Sequence, residues 1–324
     1  MMSDDATATD AAAGATAHAT AAGASATPPL RTSDDPAHAA CIILGAGEYY
    51  GSERRALELA GLSGGASDPL VIAADGGLDH ARELGVSPDF AIGDFDSVTS
   101  RISTRPVDGA TIRHAPGSAE SRLDRSVRRV IASGPWAGLP VITLPSQKDD
   151  ADMMSAVKAG WMAGARQFHI LGGLGGRLDH TIGNIQLLAY VSRAAGFAFL
   201  YGDRIAATAV TDGEVRFPAC PVPDFPMVSV FSLGNESHDV EIRGLKYEVS
   251  GFTVTNTVAQ LSNELMGAPG VVRVGDGTLI VTYPSAVPAP VVTTRARESA
   301  SLGALSDAVS DRLSDAGRRQ EGLA

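Results

Sequence analysis

Four short apolar runs, each followed by aspartates or glycines, constrain this chain more than any other feature. Leu70 to Ala74 leads into Asp75-Gly76-Gly77, and Phe90 to Ile92 into Gly93-Asp94-Phe95-Asp96-Ser97. Val141 to Leu144 precedes Lys148-Asp149-Asp150-Ala151-Asp152, and Phe168 to Leu171 precedes Gly172-Gly173-Leu174-Gly175-Gly176-Arg177-Leu178-Asp179-His180. Runs this short, bounded by turn residues, read as buried strands. Helical patterns over 53–60, 78–84, 152–163 and 181–194 fall between them, and Cys41 to Leu44 and Phe197 to Tyr201 complete the series. Strands alternating with helices predict an α/β region, a mostly parallel sheet flanked by helices in the Rossmann-like manner. Open parallel sheets place ligands at the carboxyl ends of their strands, where all four clusters fall.

The pattern changes near Ile205. Val228 to Leu233, Val240 to Ile242, Glu248 to Val254, Val271 to Val274 and Thr278 to Thr282 are short β-rich runs with no helix-length pattern among them. They predict a second, all-β sandwich domain, with Gly275-Asp276-Gly277 as a hairpin-like turn. Residues 1–39 and 285–324 are rich in small and polar side chains and bury too little to offset their ordering entropy. The expected organisation is therefore a disordered Ala-rich tail (1–39), an α/β catalytic domain (40–204), a β-sandwich domain (205–284) and a mostly disordered tail (285–324). Within that last tail, Leu302, Leu305, Val309 and Leu313 recur at helical spacing.

Composition narrows the partners. A net charge of −11 over 324 residues argues against a general nucleic-acid or membrane-surface binder. Anionic substrates remain open if metal ions or local basic groups offset the acidic background. The two cysteines, Cys41 and Cys220, read as buried free thiols. No apolar run approaches the length of a membrane span, and Met1-Met2-Ser3-Asp4-Asp5 is unlike a signal peptide, so the cytoplasm is the expected location.

Carboxylates gathered on one sheet edge repel each other unless a cation sits among them. Hard oxygen donors suit Mg²⁺, which commonly bridges carboxylates and nucleotide phosphates. Asp94 and Asp96 share a direction if their segment is extended, and Asp149 and Asp152 share a helix face. The glycines allow close backbone approach to phosphates, and Arg177 offers a guanidinium fork. Each aspartate or glycine taken singly also fits a structural cap or turn, so the cluster is the signal. His180 stands in the same region, with a hydrogen-bonding or a chemical role both open. Two other motifs fail on context. Gly45-Ala46-Gly47 lacks a third glycine at dinucleotide-binding spacing, and Gly61-Leu62-Ser63-Gly64-Gly65 runs from helix to strand, the reverse of a nucleophile elbow.

In order and content, these motifs resemble the thiamine pyrophosphokinase family. They are Ala-Asp-Gly-Gly (74–77), Pro88-Asp89, Gly-Asp-Phe-Asp-Ser (93–97), Lys-Asp-x-x-Asp (148–152) and Gly-Gly-x-x-Gly-Arg-x-Asp-His (172–180). Gly244-Leu245-Lys246-Tyr247 and Ser262-Asn263-Glu264 extend the resemblance into the β-rich region. The resemblance implies transfer of diphosphate from ATP to the hydroxyl of thiamine, giving thiamine diphosphate and AMP, by a homodimer that binds thiamine between subunits. It implies Mg²⁺, with Asp75, Asp94, Asp96 and Asp152 as the metal- and diphosphate-handling carboxylates and Asp149 beside them. It puts Gly76, Gly77, Lys148, Gly175, Gly176, Arg177, Asp179 and His180 toward the nucleotide, and Tyr247, Ser262 and Asn263 toward thiamine. A non-catalytic thiamine or nucleotide binder, and a diphosphotransferase acting on another hydroxylated acceptor, are the competing readings. Two departures from the family pattern stand out. Ala151 replaces the usual Thr before Asp152, and Val98 to Gln147 is longer than usual, with an expected Arg-rich helix from Ser118 to Ala132.

Overall fold

The computed structural model describes residues 29–36, 38–62, 69–99, 102–108, 112–114 and 123–322. Strands β1 (Arg31–Thr32) and β2 (Ala40–Leu44) lead to α1 (Glu53–Leu59), β3 (Leu70–Ala74), α2 (Gly77–Leu84) and β4 (Phe90–Gly93). There follow β5 (Thr104–Pro106), a 3₁₀ turn at Asp124–Ser126, β6 (Arg129–Ile131), β7 (Pro140–Thr143), α3 (Asp152–Met162), β8 (Gln167–Leu171), α4 (Leu178–Arg193) and β9 (Phe197–Tyr201). The chain continues through β10 (Ile205–Thr211), β11 (Gly213–Phe217), β12 (Met227–Ser232), β13 (Glu236–Arg243), β14 (Val249–Thr255) and β15 (Gln260–Glu264). It ends with β16 (Gly270–Arg273), β17 (Thr278–Pro284), β18 (Val291–Thr294) and α5 (Asp315–Gln320).

These strands form two sheets. The larger has the order β15-β12-β17-β10-β9-β8-β2-β3-β4-β7-β6-β5, and the smaller the order β1-β18-β11-β16-β13-β14. Neighbours from β9 to β7 run parallel, and every other named pairing is antiparallel.

This corrects the expected architecture of a Rossmann-like parallel sheet flanked by helices and followed by a sandwich. The described residues are mostly β, with eighteen strands against five α-helices. The physical reason is the register at residue 205. β10 folds back antiparallel on β9, with Ala206 opposite Tyr201, and β17 and β12 pair on in turn. Hydrogen bonding thus crosses the expected boundary, and strands assigned to the second half extend the first sheet. Periodicity within a strand reports which faces are buried, not which edge the next strand joins.

Other local expectations also change. Gly275-Asp276-Gly277 does not close a hairpin, because β16 and β17 belong to different sheets. The Arg-rich helix is absent from the described part of its range, where a 3₁₀ turn and β6 stand instead. Residues 118–122 lie outside the described residues. β6 pairs with β5 and β7, so the long Val98–Gln147 stretch adds strands to the sheet edge. Arg129 fastens that addition by donating to the Thr104 hydroxyl at 2.6 Å. At the termini, Arg31 and Thr32 pair with Thr294 and Thr293, and the segment after β18 packs on the body instead of forming a disordered tail. Of residues 1–39, 1–28 and 37 lie outside the described set.

Two layers of core hold the sheets. Ile43, Ile72, Phe90, Ile92, Phe168 and Ile170 pack against Ala156 and Val157 of α3 and Leu187 and Leu188 of α4. Phe217, Val240 and Val272 of the smaller sheet pack against Val228, Val281 and Tyr283 of the larger. Each such large apolar side chain contributes roughly 1.5–3 kcal/mol when fully buried. Both cysteines are unpaired, with Cys41 buried in the first of these layers.

His169 of β8 is a polar group inside this core. It is fully buried, with Nδ1 2.8 Å from the Tyr201 hydroxyl and its ring 5.0 Å from that of Phe199. Burial pushes its pKa down to about 3, so the folded state holds it neutral. The unfolded chain takes up a proton near the ordinary value of about 6.5, so stability is full above that pH and falls as pH drops toward 3. Urea midpoints at pH 7 and pH 5 are expected to show a loss of about 2 kcal/mol from this group. His169→Gln is expected to remove that component, and an identical pH slope in the variant would contradict the assignment.

Candidate functional site

The carboxyl ends of β8, β2, β3, β4 and β7 lie side by side in that order. They present, in sequence, the loop of residues 172–177, the loop of residues 45–50, Asp75, then Asp94 and Asp96, then Lys148 and Asp152. Adjacent strands are spaced by about 4.8 Å, so this row spans about 20 Å.

Asp75, Asp94 and Asp96 come together, each offering a carboxylate oxygen within 4.8 Å of the others. Asp75 is 4% exposed, and its Oδ1 is buried without a hydrogen-bond partner. Its backbone adopts φ 50°, a left-handed conformation that aspartate tolerates better than most residues. Burial pushes its carboxyl above the usual range, and the charges of Asp152, Asp94 and Asp96 add to the effect against an opposing hydrogen bond from Ser97. Three carboxylates with an unsatisfied buried oxygen fit a hard divalent cation.

Asp94 and Asp96 do meet, but not through an extended segment. Phe95 between them takes φ 62°, and the Asp96 amide donates to Asp94 Oδ1 at 3.3 Å. The tight turn, not strand alternation, brings the carboxylates together. Ser97 donates its hydroxyl to Asp96 Oδ1 at 3.0 Å.

Lys148 supplies positive charge at the cluster edge. Its side chain is 5% exposed, with Nζ 2.9 Å from Asp152 Oδ1 and 3.7 Å from Asp94 Oδ2. Asp152 is the first residue of α3, where the helix dipole favours negative charge. Ala151 occupies the N-cap position and makes no side-chain cap. Asp149 departs from its expected role beside the cluster. It accepts a hydrogen bond from Ser310 and lies 4.0 Å from Arg312, and it is not among the three carboxylates that meet. Asp149 precedes the helix, so helical spacing does not govern it.

On the other side of the row, the 172–177 loop leads into α4, whose first amides lack intrahelical partners. Gly175 (φ 88°) passes so near Tyr50 that a Cβ there would lie 1.9 Å from its hydroxyl. Arg177, Asp179 and His180 are exposed at this helix start. Arg177 is paired, with Nη2 2.6 Å from Asp179 Oδ2, and its hydrogen bond holds the Asp179 carboxyl down at about 2. Gly77 lets the start of α2 approach β2, since a Cβ there would sit 1.9 Å from the Leu44 carbonyl oxygen. Gly76 lies beside Ala46 and Ser97.

Sequence reading passed over the 45–50 loop, which the fold sets between the acidic and glycine-rich halves. The Gly45 and Gly47 amides donate to Leu171 and Gly172, and Tyr50 donates to Glu48 at 2.8 Å. The only signal was the glycine pair at a strand end, set aside because its spacing fits no dinucleotide motif.

Tyr247, Ser262 and Asn263 are not brought to this row within the chain. β15 lies seven strand spacings from β3 across the larger sheet, about 30 Å. Tyr247 is 62% exposed, while Asn263 is buried and spends its amide on the Tyr247 backbone, accepting at 2.9 Å and donating at 2.7 Å. Ser262 is exposed with φ 59°. A separate cleft of about 440 Å³, lined by Ile42, Leu57, Leu84, Asp89 and Arg113, opens near the beginnings of β3 and β4 and includes none of Asp75, Asp94 and Asp96.

Residues 66–197 match the family model of the thiamin pyrophosphokinase catalytic domain. That segment is similar to the thiamin pyrophosphokinase catalytic domain. It holds Asp75, Asp94, Asp96, Lys148, Asp152 and the 172–177 loop, and stops short of β10. Among solved structures, the chain resembles the thiamine pyrophosphokinase of Bacillus subtilis at 21% identity, TM-score 0.56, covering 76% of this chain and 98% of that one. It resembles the enzyme of Candida albicans at 15% identity, TM-score 0.52, covering 76% and 89%. The yeast enzyme compares at 14% identity, TM-score 0.51, covering 78% and 87%. At these identities the likeness is one of fold. No curated protein matches the chain.

The uncapped start of α3 gives a direct test. Ala151→Thr supplies the hydroxyl that the thiamin pyrophosphokinase pattern carries here, and is expected to stabilise the protein by about 1 kcal/mol. The urea midpoint of the variant against the parent measures it.

Proposed function

We propose that this protein transfers diphosphate from ATP to the primary hydroxyl of thiamine, releasing AMP. The observation that carries the reading is the cluster of Asp75, Asp94 and Asp96, edged by Lys148, on one row with a glycine loop and helix start inside the matched domain. The row has the length and charge order for a nucleotide polyphosphate, with a hard-cation cluster at one end and backbone amides at the other.

In this reading Asp75, Asp94 and Asp96 hold Mg²⁺, with Asp152 adjoining. Bound Mg²⁺ supplies charge neutralisation for the phosphates. Lys148 adds a fixed positive charge, and the 172–177 loop and α4 start bind the remaining phosphate oxygens. The thiamine oxygen forms a bond to the β-phosphorus as the bond from that phosphorus to the α-bridging oxygen breaks. AMP leaves with the bridging oxygen, and a site carboxylate accepts the hydroxyl proton. Positioning and electrostatics carry most of such a phosphoryl-type transfer.

Thiamine recognition is assigned to Tyr247, whose exposed ring suits a cationic thiazolium, with Ser262 beside it and Asn263 shaping the Tyr247 backbone. The separation of about 30 Å within the chain supports a homodimer in which one protomer's Tyr247 faces the acidic row of its partner. Exposed Leu261 and Met266 on the same edge offer apolar surface for such contact. Among the described residues, no helix is long and apolar enough to cross a membrane. The reading places the enzyme in the cytoplasm, with ATP and thiamine as its partners.

Asp96→Asn is expected to abolish AMP formation from thiamine and Mg-ATP while leaving the circular dichroism spectrum unchanged, and near-normal turnover would sink the reading. An acceptor panel under the same conditions identifies thiamine by its rate. The shared-site arrangement has its own check. Asp96→Asn and Tyr247→Ala protomers, inactive alone, are expected to regain about a quarter of wild-type activity when refolded together, since each mixed dimer keeps one intact site. No recovery would place the whole site in one chain.

A further inference from the structure

After β18 the chain does not leave the body. Glu298 is tied to Arg166 at 2.8 Å and to Arg31. The Ser299 amide donates to Ala194 at 3.1 Å, and Leu302, 3% exposed, seats in the main core under a hydrogen bond from Tyr190 at 2.7 Å. Leu305 packs on the same core. From there the segment crosses to the loop between β7 and α3 and binds it residue by residue. Ser306 donates its hydroxyl to Asp150 Oδ2 at 2.9 Å, beside Lys158, which contacts the same oxygen at 2.6 Å and the Ala304 carbonyl at 3.1 Å. Ser310 donates its hydroxyl to Asp149 and its amide to the Gln147 carbonyl at 2.7 Å. The Gln147 side chain donates to Glu321 at 2.7 Å.

These contacts fall on Gln147, Asp149 and Asp150, on both sides of Lys148. Loops held only by water at such a position sample many conformations, and fixing each residue costs about 1–2 kcal/mol of backbone entropy. Here the flanking residues are held, so the Lys148 Nζ is delivered, nearly buried, between Asp152 and Asp94. The same contacts hold Asp149 away from the acidic cluster.

We infer that residues 296–321 form a strap that positions the Lys148 loop, with Ser306 and Ser310 as positioning residues anchored on Asp150 and Asp149, the latter serving the strap instead of a metal. This rests on the reading above for the task of Lys148 in handling phosphates. The strap's effect is on the placement of a charge that must match the transferring phosphates, where small displacements are felt strongly.

The test uses the full chain with Ser306 and Ser310 both changed to Ala, and Ser310→Thr as the conservative variant. The double variant is expected to lose roughly threefold to tenfold in kcat, the scale for releasing hydrogen bonds to charged groups. Its half-saturating Mg²⁺ is expected to rise, with KM for thiamine and the circular dichroism spectrum unchanged. Amide exchange over residues 147–151 is expected to accelerate without ligand, while β7 and α3 keep their protection, and Ser310→Thr is expected to behave as wild type. Unchanged exchange at 147–151 would overturn the strap, as would exchange raised equally through β7 and α3, or unchanged kcat and Mg²⁺ dependence in an active protein. If wild-type protein forms no AMP, the functional reading fails, and the exchange measurement still decides the strap.

Discussion

Mutual repulsion among carboxylates is the constraint around which this protein is arranged. Asp75, Asp94 and Asp96 are held within 4.8 Å of one another, and Asp75 carries a buried oxygen with no hydrogen-bond partner. Such a cluster persists only if the surrounding fold holds it, because each charge raises the cost of ionising its neighbours. The scaffold meets that demand with parallel strands buried on both faces, which fix the points at which the three side chains emerge. Lys148 offsets part of the charge from the side, and Asp152 takes its place at the start of a helix, where negative charge is favoured. The remaining imbalance is the chemical opening for a hard cation and a polyphosphate.

The second sheet and the added edge strands make sense as support for that row. β10, β17 and β12 lengthen the larger sheet without interrupting it, and the smaller sheet packs on this extension through Phe217, Val240 and Tyr283. A continuous platform results, with the acidic row toward one end and the Tyr247 edge at the other. The distance between them gives a chemical reason for a second copy of the chain in the proposed reaction. Residues after β18 add a further layer by gripping both flanks of Lys148.

Much of the acidic row was legible from sequence. The strand runs ending at Ala74, Ile92, Leu144 and Leu171 put Asp75, Asp94, Lys148 and Gly172 at strand ends because a short buried strand has few ways to end. α3 begins at Asp152 as its spacing predicts. Asp149 departs from helical spacing because it precedes the helix, where tertiary partners such as Ser310 decide direction. Glu48 and Tyr50 were missed because a loop that fits no known motif carries no local sign of which neighbour it will meet. The Asp94–Asp96 pairing was anticipated for the wrong reason, since a left-handed Phe95 does the work expected of an extended strand.

Sequence by itself located the strands that end near Ala74, Ile92, Leu144 and Leu171 and the charged residues that follow them, since these follow from local patterning of apolar and turn residues. Tertiary structure alone decided that β10, β17, β12 and β15 extend the first sheet edge to edge, that the described part of Val98 to Gln147 adds β5 and β6 to its other end, and that the final segment returns to hold the Lys148 loop. Strand partners and chain returns depend on hydrogen bonds and packing between residues far apart in sequence. Their energies are shared between both partners, and neither stretch announces them alone.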